Sequence, residues 1–144
     1  VTVLPSTDLF LMGRHMDHNV MRGVVPVHRM LETGVNCSLS TNNVLNPFTP
    51  FGDCSLIRMA NLYANICHVG KRDDVVECLN MVTERSARLM RLDGYGVAVG
   101  NDADLVVHDC EDPATAVAEL VPPIYGFKRG RRTFTREPAV LHRP

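Results

Sequence analysis

A single glycine, Gly34, separates a helical pattern from a strand. Upstream of it Val24, Val27, Met30 and Leu31 recur at helical spacing; downstream, Val35 to Leu39 is a short strand entered straight from the glycine. A helix delivered into a strand through so short a turn is the connection of a parallel α/β fold. Val1 to Leu4 is another β-branched apolar stretch. Pro5-Ser6-Thr7-Asp8 breaks it, and a second short apolar run follows at Leu9 to Met12. Gly13 to Gly23 is polar and reads as a surface loop.

Beyond Leu39 the segment Ser40 to Gly52 carries three Asn and two Pro without a long apolar stretch, so it reads as a structured loop leaving a strand. Asp53 is placed to cap a helix reaching about His68, with Leu56, Met59, Ala60, Tyr63, Ala64 and Cys67 on one face. A second helix spans roughly Asp73 to Met81, and a third is opened by Thr83 and ended by Gly94. From Asp93 the pattern changes. Tyr95 to Asp102 is rich in turn residues, and Ala103 to His108 reads as a strand of buried type. Asp112-Pro113 is a helix start, with Asp as cap and Pro at the first helical position, and the helix covers Ala114 to Leu120. Ile124 to Lys128 and Arg132 to Thr135 are strands joined across Arg129-Gly130-Arg131 as a hairpin.

The 144 residues suit one domain or two small ones. With 15 Lys and Arg against 16 Asp and Glu, no overall field draws the chain toward nucleic acid or anionic lipid. The exception is the cluster Lys128 to Arg132, which reads as a solvated hairpin tip, since no aromatic platform for bases surrounds it. No apolar run approaches the roughly 18 residues of a membrane-spanning helix. Neither nucleic acid nor membrane is therefore expected as a partner. The chain starts at Val1, inside what reads as a strand, and is expected to be a piece of something longer. The five cysteines, Cys37, Cys54, Cys67, Cys78 and Cys110, are odd in number and contain no Cys-x-x-Cys pair. They are expected to be reduced, small buried hydrophobes of a cytoplasmic protein.

Two constellations invite chemistry. His15 and His18 have a His-x-x-His spacing, but a structural metal site takes four ligands and a catalytic one three plus water. With no further cluster of suitable spacing, a self-contained metal site is not expected. The loop Ser40 to Asp53 is the better candidate. It leaves the carboxyl end of a strand, where α/β barrels place their chemistry, and sets amide side chains beside aromatic rings able to stack on a flat ligand. The residues alone leave open whether those amides serve a ligand or only satisfy the loop backbone.

Leu11 to Arg14, Met30 to Asn36, Thr41 to Phe48, Asn80 to Arg88 and Gly94 to Val107, taken in order, resemble the C-terminal part of the amidohydrolase superfamily, in its branch of cytosine deaminases and N-isopropylammelide amidohydrolases. Leu11-Met12-Gly13-Arg14 is similar to the end of the seventh barrel strand's segment and its loop. Met30 to Asn36 is similar to the helix leading into the eighth strand. Thr41-Asn42-Asn43-Val44-Leu45-Asn46-Pro47-Phe48 stands where that branch carries His-Asp-Asp-x-x-Asp-Pro-Trp. Asn80 to Arg88 resembles the helical Thr-x-x-x-Ala-Arg segment. Gly94 to Val107 is similar to the signature Gly-x-Gly-x-x-x-Gly-x-x-Ala-Asp-Leu-Val-Val.

The resemblance implies an α/β chain, the C-terminal portion of a metal-dependent hydrolase (β/α) barrel plus part of a small β-sandwich domain. Residues 1–92 would be the last strand and helix units of the barrel, and 93–144 the C-terminal part of a sandwich that both chain ends build together. It further implies a hydrolase in which a divalent metal, Zn or Fe, activates water against a C–N carbon of a pyrimidine- or triazine-like ring. Asn42 occupies the position of the family's Asp metal ligand, and Asn43 and Phe48 fall in the substrate pocket. Asn offers a neutral carbonyl but accepts no proton at any relevant pH. Phe48 keeps a stacking face and lacks the N–H of Trp. The implied partners are a small heterocyclic substrate, the missing N-terminal part of the barrel and a second copy in a homo-oligomer. The chain alone is expected to bind no metal and to be inactive. The alternative reading is a catalytically dead relative acting as a heterocycle-binding or assembly subunit.

Overall fold

A computed structural model describes residues 1–47 and 49–142. Strand β1 (Thr2–Val3) pairs in parallel with β2 (Ser38–Leu39), in the register Thr2 opposite Ser38 and Val3 opposite Leu39. Parallel neighbours need a crossover. Here it consists of helix α1 (Pro5–Leu11), a loop, and the single-turn helix α2 (His28–Leu31). The expected helix over Val24 to Thr33 thus shrinks to one turn, because Val27 N–H bonds back to Val25 and the chain is irregular up to Pro26. Gly34 has φ +82°, a left-handed conformation favouring glycine, as the hand-over to β2 requires. Pro5 does break the strand, but as the first helical residue, where its missing N–H costs no hydrogen bond. The run Leu9 to Met12 is therefore the end of α1 and its cap.

Helix α3 (Leu56–Ile66) is capped by Ser55, whose hydroxyl accepts from Arg58 N–H. Asp53 lies outside the helix, accepting from Ser55 N–H and pairing with Arg58 at 2.8 Å. Helix α4 (Arg72–Val82) follows at nearly the expected bounds, whereas α5 (Glu84–Leu89) opens after Thr83 as expected but ends well before Gly94. Antiparallel β3 (Leu105–His108), β4 (Pro123–Lys128) and β5 (Arg131–Thr135) form a second sheet in that order, with helix α6 (Pro113–Ala118) inserted between β3 and β4. Asp112 caps α6, accepting from Ala114 and Thr115 N–H at 2.9 and 3.1 Å, and its other oxygen pairs with Arg72 of α4. The hairpin turns on Arg129 and Gly130, both with positive φ (49° and 73°), the pattern of a type I′ turn. Lys128 pairs with Asp104 there, which absorbs part of the basic cluster.

The core gathers Val3 and Leu39 of the parallel strands, Ala60, Tyr63 and Ala64 of α3, Cys78, Met81 and Val82 of α4, together with Val27, Cys37 and Val117. Two expectations of burial fail. Of the five cysteines only Cys37 and Cys78 are buried; Cys67 and Cys110 are half-buried, and Cys54 is exposed, since it sits in the turn before α3 rather than in an apolar element. In β3, Val106 and Val107 are 59% and 38% exposed, because among the described residues little covers that stretch of the sheet.

Candidate functional site

Because β1 and β2 are parallel, the segments leaving their carboxyl ends meet on one side of the molecule. From β1 the chain runs into α1, and from β2 into the amide-rich loop. Two α1 hydroxyls reach the loop. Thr7 Oγ1 lies 2.8 Å from Asn43 Oδ1 and 2.9 Å from Asn42 Oδ1. The Asn43 Nδ2 donates to Ser6 Oγ at 2.6 Å, and the Ser6 hydroxyl donates to Met59 Sδ of α3 at 3.3 Å. Asn43 is 3% exposed, whereas Asn42 is open to solvent.

The loop is held in shape by its own polar groups. Asn43 N–H donates to Thr41 Oγ1, Asn46 Nδ2 donates to Asn42 carbonyl at 2.6 Å, and Asn46 Oδ1 accepts from Thr49 N–H. Gly52 closes it with φ +127°. A Cβ there would stand 2.1 Å from Asn43 carbonyl oxygen, so the position admits no side chain. Beside it Phe51 meets Phe10 of α1 edge to face at 5.8 Å, and the Arg14 guanidinium lies 5.2 Å from the Phe10 ring centre. Burial pushes the Asp8 carboxyl above its ordinary range. The Arg58 guanidinium, with Ser55 N–H, holds Asp53 below it.

The structure therefore brings Asn42 and Asn43 together at the carboxyl end of β2; Phe48 lies outside the described residues. Sequence reasoning missed Ser6 and Thr7. Two hydroxyl residues directly after a strand were the available signal, once that strand was known to lie beside β2. A cleft of about 590 Å³ opens elsewhere, between the start of α3 and the second sheet, and neither Asn42 nor Asn43 lines it.

Among the described residues no group of three or more His, Cys, Asp or Glu could hold a metal ion. His15 and His18 are exposed, and His18 is turned to Asp17. Asn42 can contribute one neutral amide oxygen. That suits one ligand in a set shared with other residues, because hard divalent ions accept Asn carbonyls. It does not suit a proton acceptor.

The model of the amidohydrolase family matches residues 2–134. N-isopropylammelide isopropyl amidohydrolase of Pseudomonas sp. (strain ADP) is 28% identical over 108 residues, covering 74% of this chain and 27% of that protein. A 5-methylthioadenosine/S-adenosylhomocysteine deaminase of Thermotoga maritima is 36% identical over 96 residues, covering 63% of the chain and 22% of its own length. The crystal structure of 5-methylcytosine deaminase from Klebsiella pneumoniae, liganded with phosphonocytosine, superposes on 99% of the chain with a TM-score of 0.88 at 29% identity, over 35% of that protein. The chain thus spans roughly a quarter of the curated relatives' length (27% and 22%).

Proposed function

We propose, since this chain belongs to the amidohydrolase family, that it is the C-terminal part of a metal-dependent hydrolase or deaminase acting on C–N bonds of a cyclic, pyrimidine- or triazine-like substrate. Its fold is the α/β C-terminal portion of that family's barrel with part of a small β-sandwich. In this reading residues 1–92 are the barrel's last units and 93–144 the sandwich part. One observation supports the functional reading: Asn42 and Asn43 leave the carboxyl end of a strand parallel to its neighbour, and to these two positions the sequence resemblance assigns the family's Asp ligand and substrate contact.

Zn or Fe, when bound, would supply a water of lowered pKa. The chain's own residues then have three tasks. Asn42 offers a neutral oxygen at the ligand position. Asn43 Oδ1, now met by the Thr7 hydroxyl, is the acceptor for which a ring N–H would compete. Phe48, which stands in sequence where the family carries Trp, would stack on the ring. The proton a carboxylate would take at position 42 must go to another group. A cytoplasmic setting accords with five free thiols.

The test uses the full-length protein. Metal content by atomic absorption and ammonia or amine release from cytosine and N-isopropylammelide are compared between wild type and Asn42→Asp. The expected result is metal in both, with turnover at least tenfold higher in the variant, since general-base assistance contributes about 10²–10⁴-fold. The neutral side chain at position 42 also favours a second reading, a binding subunit without turnover. Heterocycle binding with neither metal nor turnover, unchanged by Asn42→Asp, would establish it instead.

A further inference from the structure

We infer that Arg14 is a specificity-determining residue whose guanidinium binds an anionic substituent, a carboxylate, carried by the cyclic substrate beside the Asn42 and Asn43 pair. The contacts that connect it to that pair run through two aromatic rings. Thr7, which lies 2.8 Å from Asn43 Oδ1, and Phe10 are three residues apart on α1 and so share one side of it. Phe10 meets Phe51 edge to face at 5.8 Å, and Phe51 precedes Gly52, whose backbone is packed against the Asn43 carbonyl. The Arg14 guanidinium lies over the Phe10 ring, 5.2 Å from its centre. Three residues of helix rise about 4.5 Å, and the step from ring to guanidinium adds to that. This reach fits a substituent of a ring held at the amides rather than the ring itself.

The charge on Arg14 is unpaired. Among the described residues it makes no ion pair and no hydrogen bond, and its one contact of either electrostatic or aromatic kind is the Phe10 ring. The two carboxylates nearest to it in sequence are placed elsewhere. Asp17 is turned to His18, and Asp8 is shifted upward by burial with no cation holding it down. His15, His18 and Arg22 share the loop from Gly13 to Gly23 with Arg14, and Asp17 is its only acid, so the local potential favours an anion. The ring covers one face of the planar guanidinium and leaves the N–H edge of this exposed side chain open. That edge matches a carboxylate, which accepts two parallel N–H bonds. Phe51, 66% exposed beside Phe10, offers apolar surface to the stem that carries the carboxylate.

The inference rests on the proposed function for the ring but not for the residue that binds the anion. The probes are N-isopropylammelide and its analogue with carboxymethyl in place of isopropyl, similar in size and different in charge. Calorimetry measures their binding to the full-length protein, and amine release measures their turnover. Wild type should bind the carboxymethyl analogue at least about tenfold more tightly, the worth of one charge-assisted contact. Arg14→Gln should abolish that preference, whereas Arg22→Gln, on the same loop and equally exposed, should leave it unchanged. Equal affinity of wild type for the two compounds, no binding of the analogue, a preference that survives Arg14→Gln, or an equal loss in Arg22→Gln overturns the inference. Turnover of neither compound, alongside a preference that depends on Arg14, refutes the proposed function and leaves the inference standing.

Discussion

Tyr63 has no exposed surface, yet it carries a hydroxyl that must be satisfied in the middle of the core. His28 does this twice: its backbone N–H donates to Tyr63 Oη at 3.0 Å, and its ring Nδ1 lies 2.8 Å away, placed to accept the phenol proton. Burial raises the Tyr63 pKa far above its ordinary value, so the phenol stays protonated. Tyr63→Phe strands the His28 N–H, at a cost of about 1–3 kcal/mol. Hydrogen exchange at His28 and along α3 of the full-length protein should lose protection by that amount, and unchanged exchange would contradict the assignment. Tyr63 was legible in the sequence as a core residue. Its partner was not, because His28 lies 35 residues away and only the fold brings the two together. The same separation hid Ser6 and Thr7 from Asn43, whereas Asn42 and Asn43 were legible through local motif and strand position.

Helix starts were read correctly where the capping residue is also the nearest polar one. Asp112-Pro113 is the clear case. At α3 two residues compete, Asp53 and Ser55, and the structure gives the cap to Ser55 because Asp53 is drawn to the Arg58 guanidinium. Ser55→Ala should therefore cost the helix about 1 kcal/mol, measured as faster exchange in its first turn, while Asp53→Ala should leave that turn nearly as protected. The α6 cap makes a pH prediction. Bonds from Thr115, side chain and backbone, with Arg72, lower the Asp112 pKa to about 2. The folded value lies below the unfolded one of about 3.9. The cap's contribution is thus fully present above that unfolded value and is lost as pH falls through about 2. Protection at Ala116 and Val117 should fall between pH 4 and 2 in wild type and show no such step in Asp112→Asn. Strand lengths were less legible. Val35 to Leu39 reads as five residues by composition, but among the described residues the ladder registers only Ser38 and Leu39, with the Asn36 carbonyl taking the Val1 amino group just outside it.

On the scale of the molecule, the hydrophobic core runs across the boundary proposed at residue 92. Val117, from the second part, is 1% exposed within the cluster of Tyr63 and Met81, and Asn61 of α3 donates to its carbonyl at 2.9 Å. The two parts therefore hold one another in place, a coupling no local pattern could announce. The site has no such completeness. A two-stranded parallel sheet is far from the roughly eight strands on which a barrel assembles its pocket. In the proposed function Asn42 would bring one neutral oxygen where three protein ligands and a water are normal. In the proposed function the chain's residues thus shape one wall of a pocket, with no proton acceptor at position 42 and, among the described residues, no group of three His, Cys, Asp or Glu to hold an ion. The expected outcome is that the purified 144-residue chain releases no ammonia or amine from cytosine or N-isopropylammelide, with or without added Zn²⁺, under conditions in which the full-length protein turns over. Zn²⁺-dependent release by the chain alone, at a rate near that of the full-length protein, would mean that these residues hold the whole machinery, and the assignment of Asn42 to one shared ligand position would have to be abandoned.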